Sequence, residues 1–381
     1  MVTTLQETVD AQVAAGRVPG AVALVSRADD VTVATSGVSA VGGPPMTRDS
    51  LFRIASITKP IVAAAAMALV DRGVFALDEP VDRWLPELRD PMVLRHPDAA
   101  VDDLVPAARP VTVRHLLAFQ GGHGLPADMD VPVVARLVDD LHQGPPRPQA
   151  MAPPDEWMDR LAAIPLLHQP GEGWTYTTGS DILGVLLARA QDAPLGAVLD
   201  DTVLGPLGMV DTGFAVPSGG LDRMTAYYQR DADTGAFDLI DPPEGQWATV
   251  PAFPSGAGGL VSTVDDWHAF GRMLLAGGEH GGRRVLSAEA VRLMTTSHLE
   301  SEPGNPFLEG HGWGFGGSVD LAAVDPWNVV GRYGWVGGTG TAAYIIPSSG
   351  TVVVWMSQVE LAGPRDFAAM AAVLTWAAQR A

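Results

Sequence analysis

Ser56, Ile57, Thr58 and Lys59 stand in a row, and the first and last of them can do acyl-transfer chemistry together. Ser and Lys at i and i+3 share one face of a helix. Residues 61–70 behind them are ten apolar residues, so a helix is expected to start at or just before Ser56 and run on through them. A serine in a first turn sits at the positive end of the helix dipole. Its own N–H has no helical acceptor and can point at a developing oxyanion. A lysine one turn deeper, among apolar side chains, has its pKa lowered from ~10.4 by desolvation. Once neutral, it can take the serine's proton. Ser-x-x-Lys alone is a common pattern. Here, however, Lys59 is the one lysine of the chain and the other 23 basic residues are arginine, which does not give up its proton. The plain alternative is a surface lysine kept by chance.

Two further stretches have chemistry to offer. Tyr176-Thr177-Thr178 contains one of only five tyrosines, and a phenol among donors can act as general base or as acid to a leaving group. Most tyrosines are simply core residues with a satisfied hydroxyl. Residues 333–341, Tyr-Gly-Trp-Val-Gly-Gly-Thr-Gly-Thr, open a strand. Gly337, Gly338 and Gly340 let a substrate approach its backbone, and the Gly338 N–H can be a second oxyanion donor. The same glycines also suit a bulge or a turn. Gln120, in Gln-Gly-Gly-His-Gly after a short helix, is placed with the substrate-binding residues. His115 and His123 flank it and are read as structural.

Composition narrows the classes. The chain has 381 residues, 47% of them hydrophobic and 18% charged, enough for a sizeable core. With 44 acidic against 24 basic residues its formal charge is −20, so nucleic acid and anionic membranes are not expected as partners. There is no Cys, which excludes disulfides, thiolate catalysis and Cys-ligated metals. No His-Glu-x-x-His or other His pair at metal spacing occurs, so neither metal nor cofactor is expected. No Gly-x-Ser-x-Gly elbow is present. The first sixteen residues lack a basic and an apolar region, and the ten-residue run is half a membrane span. The expectation is a cytoplasmic protein acting on a small molecule, with its oligomeric state open.

The elements that must position these residues are legible in outline. Residues 4–16 read as an amphipathic helix. Residues 18–27 and 31–35 read as a hairpin turning at Asp29-Asp30. Further helices are expected over 60–72, from Thr112 as cap, over 133–141, over 181–190, up to about 276, and over 364–381. Residues 335–347 and 350–358 read as two strands joined at 348–350. Residues 126–155, rich in Pro and Asp, read as an insertion that shapes the pocket. Strands at both ends and helices between them predict an α+β fold. One antiparallel sheet is built from both termini and flanked by helices, with a helical subdomain inserted. The expected division is an α/β part of about 1–75 and 215–381 and a mainly helical part of about 76–214.

The three motifs occur in the order of the serine β-lactamase-like, penicillin-recognising superfamily, whose Ser-x-x-Lys, Ser-Asp-Asn and Lys-Thr-Gly triplet is well known. The chain most resembles the branch with class C β-lactamases and family VIII carboxylesterases, where the second motif begins with Tyr. Phe52 to Pro60, Thr112 to Leu117, Tyr176 to Gly184, residues 206–212 and residues 258–266 carry the resemblance, which spans roughly residues 5–380. It implies Ser56 as the acylated nucleophile and Lys59 as its proton acceptor or the group that tunes Tyr176. Tyr176 would be the base in acylation and the acid to the leaving group, and the N–H groups of Ser56 and Gly338 the oxyanion hole. Trp335, Gly337, Thr178 and Gln120 would contact substrate. Two departures matter. Thr178 stands where β-lactamases have Asn, and Trp335 where they have a Lys that attracts the substrate carboxylate. A neutral indole favours an apolar acyl or alcohol group, hence a carboxylesterase. Acyltransferase, amidase and weak β-lactamase are alternatives on the same site, and a non-catalytic acyl- or peptide-binding module is the remote one.

Overall fold

The Thr4 hydroxyl accepts the Glu7 N–H while the Glu7 carboxylate accepts the Thr4 N–H. This capping box opens α1 (Leu5–Ala14). It is the first element of the computed structural model, which describes residues 3–300, 305–363 and 365–380. β1 (Gly20–Arg27) and β2 (Asp30–Gly37) follow as a hairpin. Arg27 pairs with Asp30, so the turn is Ala28-Asp29, one residue earlier than expected. Ala28 closes it in the left-handed region, at φ +51°.

Strands from the far end complete the sheet: β3 (His311–Trp313), β4 (Ser318–Asp320), β5 (Tyr333–Gly337), β6 (Thr341–Ile346) and β7 (Thr351–Ser357). Their order is β3-β4-β5-β6-β7-β1-β2, with every neighbour antiparallel. Both chain ends therefore share one sheet. Side chains alternate faces along a strand, yet β6 and β7 are buried at every position. The sheet is thus covered on both faces. α1 and α7 (Ala371–Ala378) pack together over β1, β2 and β7, and α6 (Val264–Leu275) packs on β1, β6 and β7.

The single strand expected over 335–347 is two. The chain reverses at 338–340, where Gly340 lies at φ +88° and its N–H donates to the Gly337 carbonyl at 2.9 Å. The apolar character runs on through both strands, so only the glycines mark the reversal. The terminal helix expected over 364–381 is also shorter. It starts at Ala371 after turns, and residues 364 and 381 lie outside the described residues.

α2 (Lys59–Asp71) is apolar on every side and buried from Lys59 to Leu69, each full-sized apolar side chain contributing about 1.5–3 kcal/mol. It packs against α5 (Thr178–Gln191). α3 (Val113–Leu117) is capped by Thr112 as expected, and α4 (Val133–Leu141) has the bounds expected for it. Among the described residues no single helix is long and apolar enough to cross a membrane.

Candidate active site

Residues 55–58 form a tight 3-10 turn that runs directly into α2. Ser56 and Lys59 are one turn apart, and the Lys59 Nζ lies 2.8 Å from the Ser56 Oγ. Lys59 is only 1% exposed. Burial brings its amine down to about 7, while the charge of Asp181 acts the other way. Nζ also donates to the Ala257 carbonyl at 2.6 Å. The N–H of the same residue donates to Asp181 Oδ1 at 3.0 Å. Asp181 accepts from Ser255 Oγ (2.6 Å) and Gln143 Nε2 (3.2 Å) as well. Burial pushes its carboxyl upward, opposed by these hydrogen bonds and by Lys59. Sequence reasoning passed over Asp181. The available signal was an acid inside a helix start of small and apolar residues.

Tyr176 comes to the same point from a different element. Its backbone pairs with Leu125 (3.0 and 2.8 Å), and Thr177 then kinks the chain into α5 at φ +77°, ψ −54°. The Tyr176 hydroxyl donates to Ser56 Oγ at 3.0 Å and accepts the Trp335 indole N–H at 2.6 Å. Its ring stacks on Phe307 (4.7 Å, 18°) and meets the rings of Phe119 and Trp313 edge-on. This enclosure pushes the phenol up to about 12, so it is protonated at neutral pH. Lys59 Nζ lies 4.9 Å from the centre of the same ring. Ala55, Phe119 and Thr177 all hold positive φ, a conformation costing a non-glycine residue about 1–2 kcal/mol. The three lie beside Ser56 or against Tyr176, so the strain is concentrated at the site.

Ser56 and Gly338 line one cavity of about 390 Å³. Neither of their N–H groups has an acceptor among the described residues. Leu125, Met129, Pro145, Pro148, Phe307 and Trp335 supply much of the apolar wall. Trp335 lines it and also bonds Tyr176, which the sequence did not suggest.

Three expected substrate contacts are corrected. Gln120 is absent from the cavity wall. Its backbone is held between His115 and Gly171, and Gln143, after α4, supplies the amide that lines the cavity. Thr178 is fully buried and donates to Gln143 Oε1 at 3.0 Å, so it holds that amide in place. Gly337 faces protein: a Cβ there would lie 2.4 Å from the Ile54 carbonyl oxygen and 2.1 Å from Thr341 Oγ1. His115 is part of the Thr112 cap and His123 binds the Ile164 carbonyl at 2.9 Å, both structural as read. Gly337→Ala is therefore expected to destabilise by about 1–3 kcal/mol, measured by urea unfolding. A wild-type midpoint would show that β5 can move away from Ile54 at no cost.

An antiparallel sheet from both chain ends, carrying a Ser-x-x-Lys turn faced by a tyrosine, defines the β-lactamase/transpeptidase-like fold. The chain belongs to the beta-lactamase family, whose model matches residues 5–375. Protein Rv1367c of Mycobacterium tuberculosis (strain ATCC 25618 / H37Rv) is 40% identical over 328 residues, 83% of this chain and 79% of that protein. Esterase EstB of Burkholderia gladioli is 36% identical over 267 residues, 66% of this chain and 64% of its own. Among solved structures, EstCE1, a hydrolase with promiscuous acyltransferase activity, superposes with a TM-score of 0.81 at 25% identity, covering 98% of this chain and 97% of that one.

Proposed function

We propose that this protein is a serine hydrolase of small carboxylic esters that works through an acyl-enzyme on Ser56. The observation that carries this reading is the convergence on Ser56 Oγ of a buried amine at 2.8 Å and a buried phenol at 3.0 Å. The amine is brought down to about 7 and the phenol pushed up to about 12, so Lys59 is the base at rest and Tyr176 the acid. Ser56 gives its proton to Lys59 as Oγ bonds to the ester carbonyl carbon. The oxyanion is met by the N–H groups of Ser56 and Gly338. The carbon–oxygen bond to the alcohol breaks, and Tyr176 protonates the departing alkoxide. The phenolate left behind keeps the Trp335 N–H. Water then attacks the acyl carbon and gives its proton to that phenolate. Oγ leaves and recovers its own proton from the Lys59 ammonium, which regenerates the site.

EstB and EstCE1 support the ester as substrate. Trp335 supports it too, since a neutral indole stands where a lysine would draw in a carboxylate. An alcohol in place of water gives acyl transfer on the same residues, which the apolar cavity and the likeness to EstCE1 favour as the second reading. Purified protein is expected to turn over p-nitrophenyl butyrate and leave nitrocefin nearly untouched. Nitrocefin as the better substrate would overturn the reading.

Asp181 enters as a positioning residue. Its charge raises the Lys59 pKa, so Asp181→Asn is expected to lower it. The acid limb of the kcat/KM profile then moves to lower pH. A limb that stays in place or moves up would show that Asp181 does not act through Lys59.

A further inference from the structure

The cavity wall beside Gly338 carries a carboxylate that the reaction above does not use. The Leu361 N–H donates to the Gly338 carbonyl at 2.8 Å, which holds the segment after β7 against the oxyanion donor. Glu360 is the preceding residue, and its own N–H is bonded to the Tyr228 carbonyl at 2.8 Å. Its half-buried side chain lines the cavity and accepts the hydroxyl of Tyr227, which lines it too. Tyr227 is 2% exposed and lies under the Arg53 guanidinium, 5.9 Å from the ring centre. Arg53 itself is committed to Asp241 at 2.5 Å. Glu360 is thus anchored at backbone and carboxylate. Among the described residues no Lys or Arg pairs with it, and its Oε1 has no partner. Arg365, five residues on, is taken by Glu309. Arg147, the exposed cation of the cavity, belongs to the proline-rich segment after α4, where solvent screens it.

We infer that Glu360 selects esters bearing a hydrogen-bond donor, an ammonium or a hydroxyl, on the group that lies beside Gly338, and turns away a carboxylate there. The inference rests on the ester-hydrolase reading. A half-buried charge acts through a lower dielectric than water, and Tyr227 has already ordered the side chain, so little entropy is lost when a donor binds. β-Lactams and peptide C-termini carry a carboxylate next to the bond that is cut. Glu360 is then a second barrier to them, independent of Trp335.

The test uses two matched pairs of butyrate esters followed by pH-stat. Protonated 2-(dimethylamino)ethyl butyrate is compared with its uncharged isostere, 3-methylbutyl butyrate, and 3-hydroxypropyl butyrate with butyl butyrate. In the wild type the donor-bearing member of at least one pair is expected to have a kcat/KM higher by about tenfold for the cation or a few-fold for the hydroxyl. The pair that responds identifies the donor. In Glu360→Gln that ratio should fall toward one, with the melting temperature reporting that the variant is folded. In the wild type alone, the ratio for the cationic pair should also shrink as salt is raised. Ratios near one in the wild type, or a ratio that survives in a folded Glu360→Gln, overturn the inference. Failure to hydrolyse any of the four esters would instead remove the hydrolase reading, and the inference with it.

Discussion

Ser56→Ala is expected to lose p-nitrophenyl butyrate hydrolysis by about three orders of magnitude or more while remaining folded. The change removes one oxygen and no packing element. Lys59 keeps its bond to the Ala257 carbonyl and Tyr176 keeps the Trp335 N–H, so the cavity retains its shape. The covalent step has no route without Oγ, because the chain has no Cys and neither Lys59 nor Tyr176 can replace a serine within the same geometry. Intact-mass measurement during turnover separates nucleophile from bystander. The wild type should carry a butyryl adduct and the variant none. A variant that keeps the wild-type rate would place the nucleophile elsewhere.

Lys59→Arg comes second, with an expected loss of about 10²–10⁴ in kcat/KM. It keeps the positive charge and removes the ability to be neutral. Lys59 is the base only as the free amine, and burial brings that amine down to about 7. The wild-type kcat/KM should therefore rise with pH through about 7, since protonation below that value occupies the lone pair that receives the Ser56 proton. The arginine variant should show no such limb, because guanidinium stays charged throughout. If Lys59→Arg retains both the rate and the limb, the base is another group. The same argument accounts for the composition. Arginine serves at every other basic position of the chain, and the single lysine stands where burial brings an amine down to about 7.

Much of this was readable before any fold was known, for reasons that are local. Ser56 and Lys59 are three residues apart, and helical geometry fixes their common face. Thr112 is a cap that stands immediately before the helix it opens. The strands at both chain ends carried enough apolar character to predict one shared sheet. Tyr176 was chosen for its motif, and its partners were out of reach: Ser56 is 120 residues away and Trp335 is 159. Gln120 was placed with the substrate-binding residues from its position after a short helix, and Gln143 carried no motif to single it out. Only packing decides that Gln143, after α4, reaches the cavity and Gln120, after α3, does not. Gly337 looked like room for substrate and proved to be room for the Ile54 carbonyl.

The sequence by itself determined the candidate nucleophile, its neighbour on the helix, the apolar run that would bury the lysine, and the absence of thiol chemistry. Each follows from residue type and spacing within a few turns. The tertiary structure alone decided the direction in which each group's proton affinity moves. That direction depends on what surrounds each group in space: the aromatic enclosure of Tyr176, and the burial of Lys59 beside Ala257 and Asp181. Desolvation and Coulomb interactions fall off with distance through the protein and take no account of distance along the chain.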